Sequence, residues 1–214
     1  MKTKKTYAYI LFLLFFLVTG NVLKSQENFE GVVKFAYKYE SKSSDFTSFI
    51  LAKYFGDTSV VFIKNGKYKQ LYPNARGITH VIYDSKSNQY FMIYRNIDTL
   101  FFADAGSTST IYQIAKNPSI KKTILEYSCN SVTIVSEKDT TTYFYSSALP
   151  LSSEPFANHK MGGYNILTQL TKSVYLEMIY RNEYYISYSK AFSVEKKALN
   201  DSIFKLPNLP MKKR

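Results

Sequence analysis

SVVFIKNGKYKQLY, residues 59–72, decides how this chain is read. Two runs rich in β-branched and aromatic residues flank Asn65-Gly66, a pair suited to the two positive φ angles of a type I′ turn. The stretch is a hairpin. Downstream, ITHVIYDSKSNQYFMIYR (78–95) repeats the theme, with polar DSKSN separating two further strands. Here both faces are apolar: Ile78 and Ile82 oppose Val81 and Tyr83, and Tyr90 and Met92 oppose Phe91 and Ile93. Such a sheet must be covered twice, or covered once and left to enclose a cavity.

The pattern continues in both directions. Phe29 to Tyr39 alternates, with Phe29, Gly31, Val33, Phe35, Tyr37 and Tyr39 on one face. Residues 45–54 change to helical spacing through Phe46, Phe49, Ile50 and Tyr54, with Ser44 or Asp45 as cap and Gly56 as stop. Leu100 to Phe102 adds a strand, and Ile111 to Lys116 reads as a short helix ended by Pro118. Ile120 to Tyr127 and Val132 to Val135 lead through Glu137, Lys138 and Asp139 into TTTYFY, a third hairpin. Gly162-Gly163 permits a sharp entrance to a helix over Tyr164 to Leu170. In the last hairpin Val174, Leu176, Met178 and Tyr180 join Tyr184, Ile186 and Tyr188 on one face, provided the loop is the odd-length Arg181-Asn182-Glu183. Asp201 to Leu206 packs Ile203, Phe204 and Leu206.

These elements predict a mostly β (α+β) fold. Its core is an open, curved antiparallel half-barrel of about nine to eleven strands, with two or three short helices on the concave side.

Lys2, Lys4 and Lys5 precede the apolar run YAYILFLLFFLV (7–18), the layout of a secretory signal peptide over residues 1–25. The run is shorter than the roughly 20 apolar residues of a membrane span. Residues 27–214 form one domain by length. The export segment has no cysteine at its end to carry a lipid, so the expected product is exported, periplasmic or associated with the outer envelope, and not lipid-anchored. Removing the segment takes away four lysines and no acid, so 28 basic and 16 acidic residues become 24 and 16, a formal excess of eight positive charges. Export and the scatter of these lysines argue against nucleic acid as partner, and an anionic membrane surface suits the charge better. The terminal Met211, Lys212, Lys213 and Arg214 read as a solvated tail.

Cys129 is the single cysteine, so no internal disulfide can form. It reads as a small buried hydrophobe. Nucleophile elbows, phosphate-binding glycine loops, dinucleotide fingerprints and HExxH helices are absent from the sequence, and two histidines with one cysteine are too few for zinc. Asp57, Asp98, Asp104 and Glu154 are loop carboxylates by type, and His80 alternates with Ile78 and Ile82 as a structural histidine would. The expectation is therefore no enzyme, no metal and no cofactor.

FEGVVKF, KKTILEYSCNSVTI, TYFYSSALPLSSEPF, GGYNILTQLTKSVYLEM and FKLP, in that order, resemble the lipoprotein-carrier-like (LolA-like) superfamily of cell-envelope proteins, especially its GLPGLI-type and uncharacterised relatives. Tyr127 and Cys129 match the family's GYKC segment without its glycine, and GGYNIL stands where GLPGLI would. The resemblance implies a half-barrel whose concave side shelters acyl chains, with Cys129 as a packing position. The combined expectation is a monomeric, non-catalytic protein holding a hydrophobic ligand, a lipid or a lipoprotein's acyl chain, in an aromatic-lined cavity. Phe35, Tyr37, Phe91, Ile93, Leu176, Met178, Ile186 and Tyr188 are the expected lining. The alternative is a structural or protein-interaction module of the outer envelope.

Overall fold

The computed structural model describes residues 27–108, 110, 112–115 and 120–214. The export segment expected over 1–25 and the helix stop at Pro118 lie outside them. Thirteen strands are present among the described residues: β1 (Gly31–Ser41), β2 (Thr58–Lys64), β3 (Lys67–Leu71), β4 (Ile78–Asp84), β5 (Gln89–Tyr94), β6 (Leu100–Asp104), β7 (Tyr112–Ala115), β8 (Lys122–Ile124), β9 (Tyr127–Ser136), β10 (Asp139–Pro150), β11 (Ser173–Asn182), β12 (Tyr185–Lys196) and β13 (Met211–Lys213). Two α-helices accompany them, α1 (Ser48–Phe55) and α2 (Tyr164–Thr171). The chain is mostly β, and its one open sheet has more strands than the nine to eleven expected.

The sheet runs β13-β6-β5-β4-β3-β2-β1-β12-β11-β10-β9-β7, with β8 paired to β9 off this path. Two antiparallel meanders are thus sewn together along β1 and β12, whose register extends from Gly31 opposite Lys196 to Ser41 opposite Tyr185. The quoted hairpin forms as read: Asn65 and Gly66 take φ of 44° and 77° between Lys64 and Lys67, which face each other. A methyl group on Gly66 would stand 2.5 Å from Pro155 Cβ, so glycine is required there for space as well as for φ.

Three local expectations are overturned. Tyr112–Ala115 is strand β7 against β9, not a helix, because backbone pairing on an open edge outweighs a short, weak periodicity. The strand expected over 120–127 breaks at Leu125-Glu126, both at positive φ, which turns β8 back onto β9. Met211–Lys213 is not a free tail but pairs in parallel with β6. The helices keep their places with shifted ends: Thr47 caps α1 through its side chain on the Ile50 amide, and Gly56 stops it. Gly162 and Gly163, at φ of 63° and 67°, feed the chain into α2.

Both faces of the sheet are covered, by different means. On one face Phe35, Val61, Ile63 and Tyr83 pack with Phe156 from the β10–α2 connection, while Leu167 of α2 packs on Val132, Ile134 and Tyr143. On the other, the segment after β12 lies across the meander: Leu199 and Phe204 cover Val32, and Leu209 covers the group of Ile82, Phe91 and Leu100. The two-sided hydrophobicity of the 78–95 hairpin is explained by this second cover.

A tyrosine-lined cleft as the candidate functional site

The helix-bearing face carries a cleft of about 580 Å³. Strand β1 supplies Tyr37 and Tyr39, α1 supplies Tyr54 and Phe55, β4 and β5 supply Val81, Tyr90 and Tyr94, and β11 and β12 supply Met178, Tyr180, Tyr185 and Ser187. Tyr72, Ile78 and Arg214 complete it. The rings form a connected layer. Tyr37 stacks on Tyr39 at 6.3 Å between centroids, Tyr39 meets Phe55 at 5.9 Å, Phe55 meets Tyr185 at 5.6 Å, and Tyr185 meets Tyr180 at 5.8 Å. Aromatic pairs at such spacings hold one another in place and need little reorganisation to accept an apolar guest.

Several hydroxyls are spoken for. Tyr39 donates to the carbonyl of Gly56 at 2.9 Å, fixing the end of α1 to β1. Tyr37 shares a triad with Ser59 and Gln70, whose side-chain amide donates to both at 3.0 Å. Burial raises the pKa of Tyr72 and Tyr39 well above the ordinary tyrosine value, and pushes those of Tyr90 and Tyr185 up to about 12. At neutral pH these side chains are uncharged hydrogen-bonding groups.

Met178 also lines an inner cavity of about 120 Å³, bounded by Phe35, Val61, Ile63, Tyr143 and Tyr175 among others. Beyond it sits His159, 2% exposed, with Nε2 and the Tyr68 hydroxyl hydrogen-bonded at 2.9 Å. Tyr83 and Tyr164 lie at 4.2 and 4.9 Å from its ring, and Nδ1 is buried without a partner. Burial pushes the His159 pKa down to about 4, so the imidazole is neutral and packed as one more ring. His80 is half-buried with its pKa lowered by burial, and its Nδ1 meets Thr79 at 3.0 Å. Cys129 is fully buried, donates to the Tyr127 carbonyl and has its pKa raised by burial, the opposite of an activated thiol. Among the described residues no three His, Cys, Asp or Glu side chains are grouped to hold a metal, and no helix is long and apolar enough to cross a membrane.

Of the expected lining residues, Phe35, Tyr37 and Met178 lie on the cleft face. The other five do not. Phe91 and Ile93 point to the opposite face, where they pack with Ile82 and Leu209. Leu176 is fully buried in the main core, at a bulge between Tyr175 and Glu177 that shifts β11 by one residue against β10. Ile186 and Tyr188 also face away. The last hairpin turns on two residues, Glu183 and Tyr184, not on an odd loop, and Tyr180 pairs with Ser187. Asn182 sets this turn by accepting from the amides of Tyr184 at 2.9 Å and Tyr185 at 2.8 Å. One residue of register moves the whole of β12, so Tyr185, Ser187 and Ser189 stand opposite Ser41, Tyr39 and Tyr37 instead. Of the residues that line the cleft, sequence reasoning named only Tyr37 and Met178 and missed the rest, Tyr39, Tyr72, Tyr90, Tyr94 and Arg214 among them. The Asx turn at Asn182 was the signal that could have recovered Tyr185 and Ser187.

A scan of the sequence against protein-family models gives no match, and a search of curated proteins gives none either. Among solved structures the chain is similar to PNGF-II, at 16% identity and a TM-score of 0.49, over 86% of this chain and 31% of that one. It is similar to an uncharacterised conserved protein from Thermus thermophilus, at 6% identity and 0.47, over 86% and 91% of the two chains. A LolA superfamily protein from Nitrosomonas europaea is similar at 9% identity and 0.37, over 85% and 91%. The chain spans about a third of the length of PNGF-II.

Proposed function

We propose that this is a non-catalytic, exported protein of the periplasm or outer envelope that binds a hydrophobic ligand, a lipid or an acyl chain, on the tyrosine-lined face of a half-barrel. The observation that carries the reading is the cleft itself: about 580 Å³ of preformed space in which nine of the lining residues are aromatic. That volume falls within the range of roughly 300–1,000 Å³ usual for small-molecule sites. Each methylene buried there contributes about 0.8 kcal/mol, so a chain needs no charged anchor to bind. The neutral, hydrogen-bonded tyrosines suit holding better than chemistry. The segment-by-segment resemblance to the LolA-like carriers points the same way.

A second reading, a protein-interaction module, is favoured by α1, where Phe49 is 69% and Ile50 51% exposed. Native mass spectrometry of the protein purified from the envelope without detergent separates the two. Copurified lipid at one equivalent is the expected outcome. A ligand-free mass with a retained protein partner would overturn the proposal in favour of the module.

A further inference from the structure

We infer that the cleft takes one single-chain amphiphile with an anionic head, the head held at Arg214 and the chain laid across the rings towards Met178. The inference rests on the hydrophobic-ligand reading and narrows it by charge and by volume.

Charge comes first. Arg214 is the one charged side chain among the residues lining the cleft, and none of them is acidic. Strand β13 pairs with β6 and sets Arg214 against Tyr94, where its Nη1 donates to the Tyr94 hydroxyl and approaches Met92 Sδ at 3.7 Å. The guanidinium carbon lies 5.9 Å from the Tyr94 ring centre. Those contacts orient the group and use one of its nitrogens, leaving most of its five donors for another acceptor. No carboxylate forms an ion pair with it among the described residues. Lys212 and Lys213 line the adjoining groove with Ile97 and Phe101, so this end of the cleft is basic. A carboxylate or phosphate is the head that such a fork recognises.

Volume fixes the tail. A methylene takes up about the ~30 Å³ of a water molecule, so the cleft holds roughly twenty of them. One acyl chain of about eighteen to twenty carbons fills it. Two or three chains, as in a phospholipid or a triacylated protein, need two or three times the space. Arg214 comes from the β13 edge and Met178 from β11, with the strands of the N-terminal meander between them in the sheet order, so a chain anchored at one wall crosses the full aromatic floor before reaching the inner cavity.

The test is a titration of the purified chain with dodecanoate, dodecyl phosphate and dodecanol below micelle-forming concentrations, followed by calorimetry. Both anions are expected to bind about tenfold more tightly than the alcohol, and Arg214→Gln to remove that preference while leaving the alcohol unchanged. The stronger anion identifies the head. Equal affinity for all three, or an equal loss for all three in Arg214→Gln, overturns the assignment of Arg214 with the hydrophobic-ligand reading intact. Tighter binding of dioctadecanoyl phosphatidate than of octadecyl phosphate, whose chain alone nearly fills the cleft, overturns the single chain. If none of the probes binds, both readings fall.

Discussion

Replacing Ser187 with phenylalanine tests the site and the register together. Ser187 is 6% exposed and forms part of the cleft floor, opposite Tyr39 on β1 and Tyr180 on β11. Phenylalanine adds about five heavy atoms, which at ~20–30 Å³ each remove roughly 120 Å³ of the space available to a ligand. That is the room of about four methylenes, worth about 3 kcal/mol at ~0.8 kcal/mol each. Affinity for a long-chain fatty acid should therefore fall more than a hundredfold. Folding should survive, because the added ring enters empty space and meets other rings. Tyr188→Ala is the control: its side chain lies on the opposite face, its hydroxyl donating to Glu40 at 3.1 Å, and binding should not change. Displacement of a fluorescent fatty acid gives the affinities, and urea titration of the same samples gives the stabilities. Unchanged binding in Ser187→Phe with a hundredfold loss in Tyr188→Ala would refute the reasoning, since it would return β12 to the face that simple alternation assigns.

The half-buried Lys122–Glu177 ion pair and the buried histidine supply the remaining predictions. Lys122 Nζ lies 2.6 Å from Glu177 Oε1, Glu177 is 6% exposed, and its other oxygen has no partner. Lys122→Met should cost about 3 kcal/mol in urea unfolding by leaving a carboxylate buried alone, and the double change with Glu177→Met should recover most of it. His159 has a folded-state pKa of about 4 against roughly 6.5 unfolded, so only the unfolded chain takes up its proton between those values. Stability is complete above pH ~6.5 and falls as pH drops towards 4, by up to about 3 kcal/mol. His159→Phe should flatten this part of the curve in thermal melts from pH 7 to pH 4. An unaltered slope would place the dependence on other groups.

Much of the fold was legible because its signals are local. Asn65-Gly66 needs two positive φ angles and a two-residue reach, and nothing distant competes with them. Gly56 and Gly162-Gly163 mark helix boundaries for the same reason. What was lost lay at edges. Tyr112–Ala115 and Met211–Lys213 are strands only because β9 and β6 offer unpaired backbone, and a pattern four or three residues long records nothing of a partner elsewhere in the chain.

The site was less legible than the fold, and the cause is the period of two. A helix misread by one residue turns its apolar stripe by about 100°, but a strand misread by one residue turns every side chain to the opposite face. Polar alternation corrects such errors only where one face is wet. On β5 both faces are apolar because Leu209 covers one and the tyrosine layer the other, so Phe91 and Tyr90 carry the same signal for opposite destinations. On β12 the signal misleads. Ile186 and Tyr188 are more apolar than Ser187 and Ser189, yet the serines face inward, because small side chains leave room between Tyr37, Tyr39 and Tyr180. A cavity is made by the residues that do not fill it, and a hydrophobicity pattern ranks those positions last. The same inversion identifies where a ligand sits: small buried side chains under a layer of large rings mark space the protein holds open and does not pack.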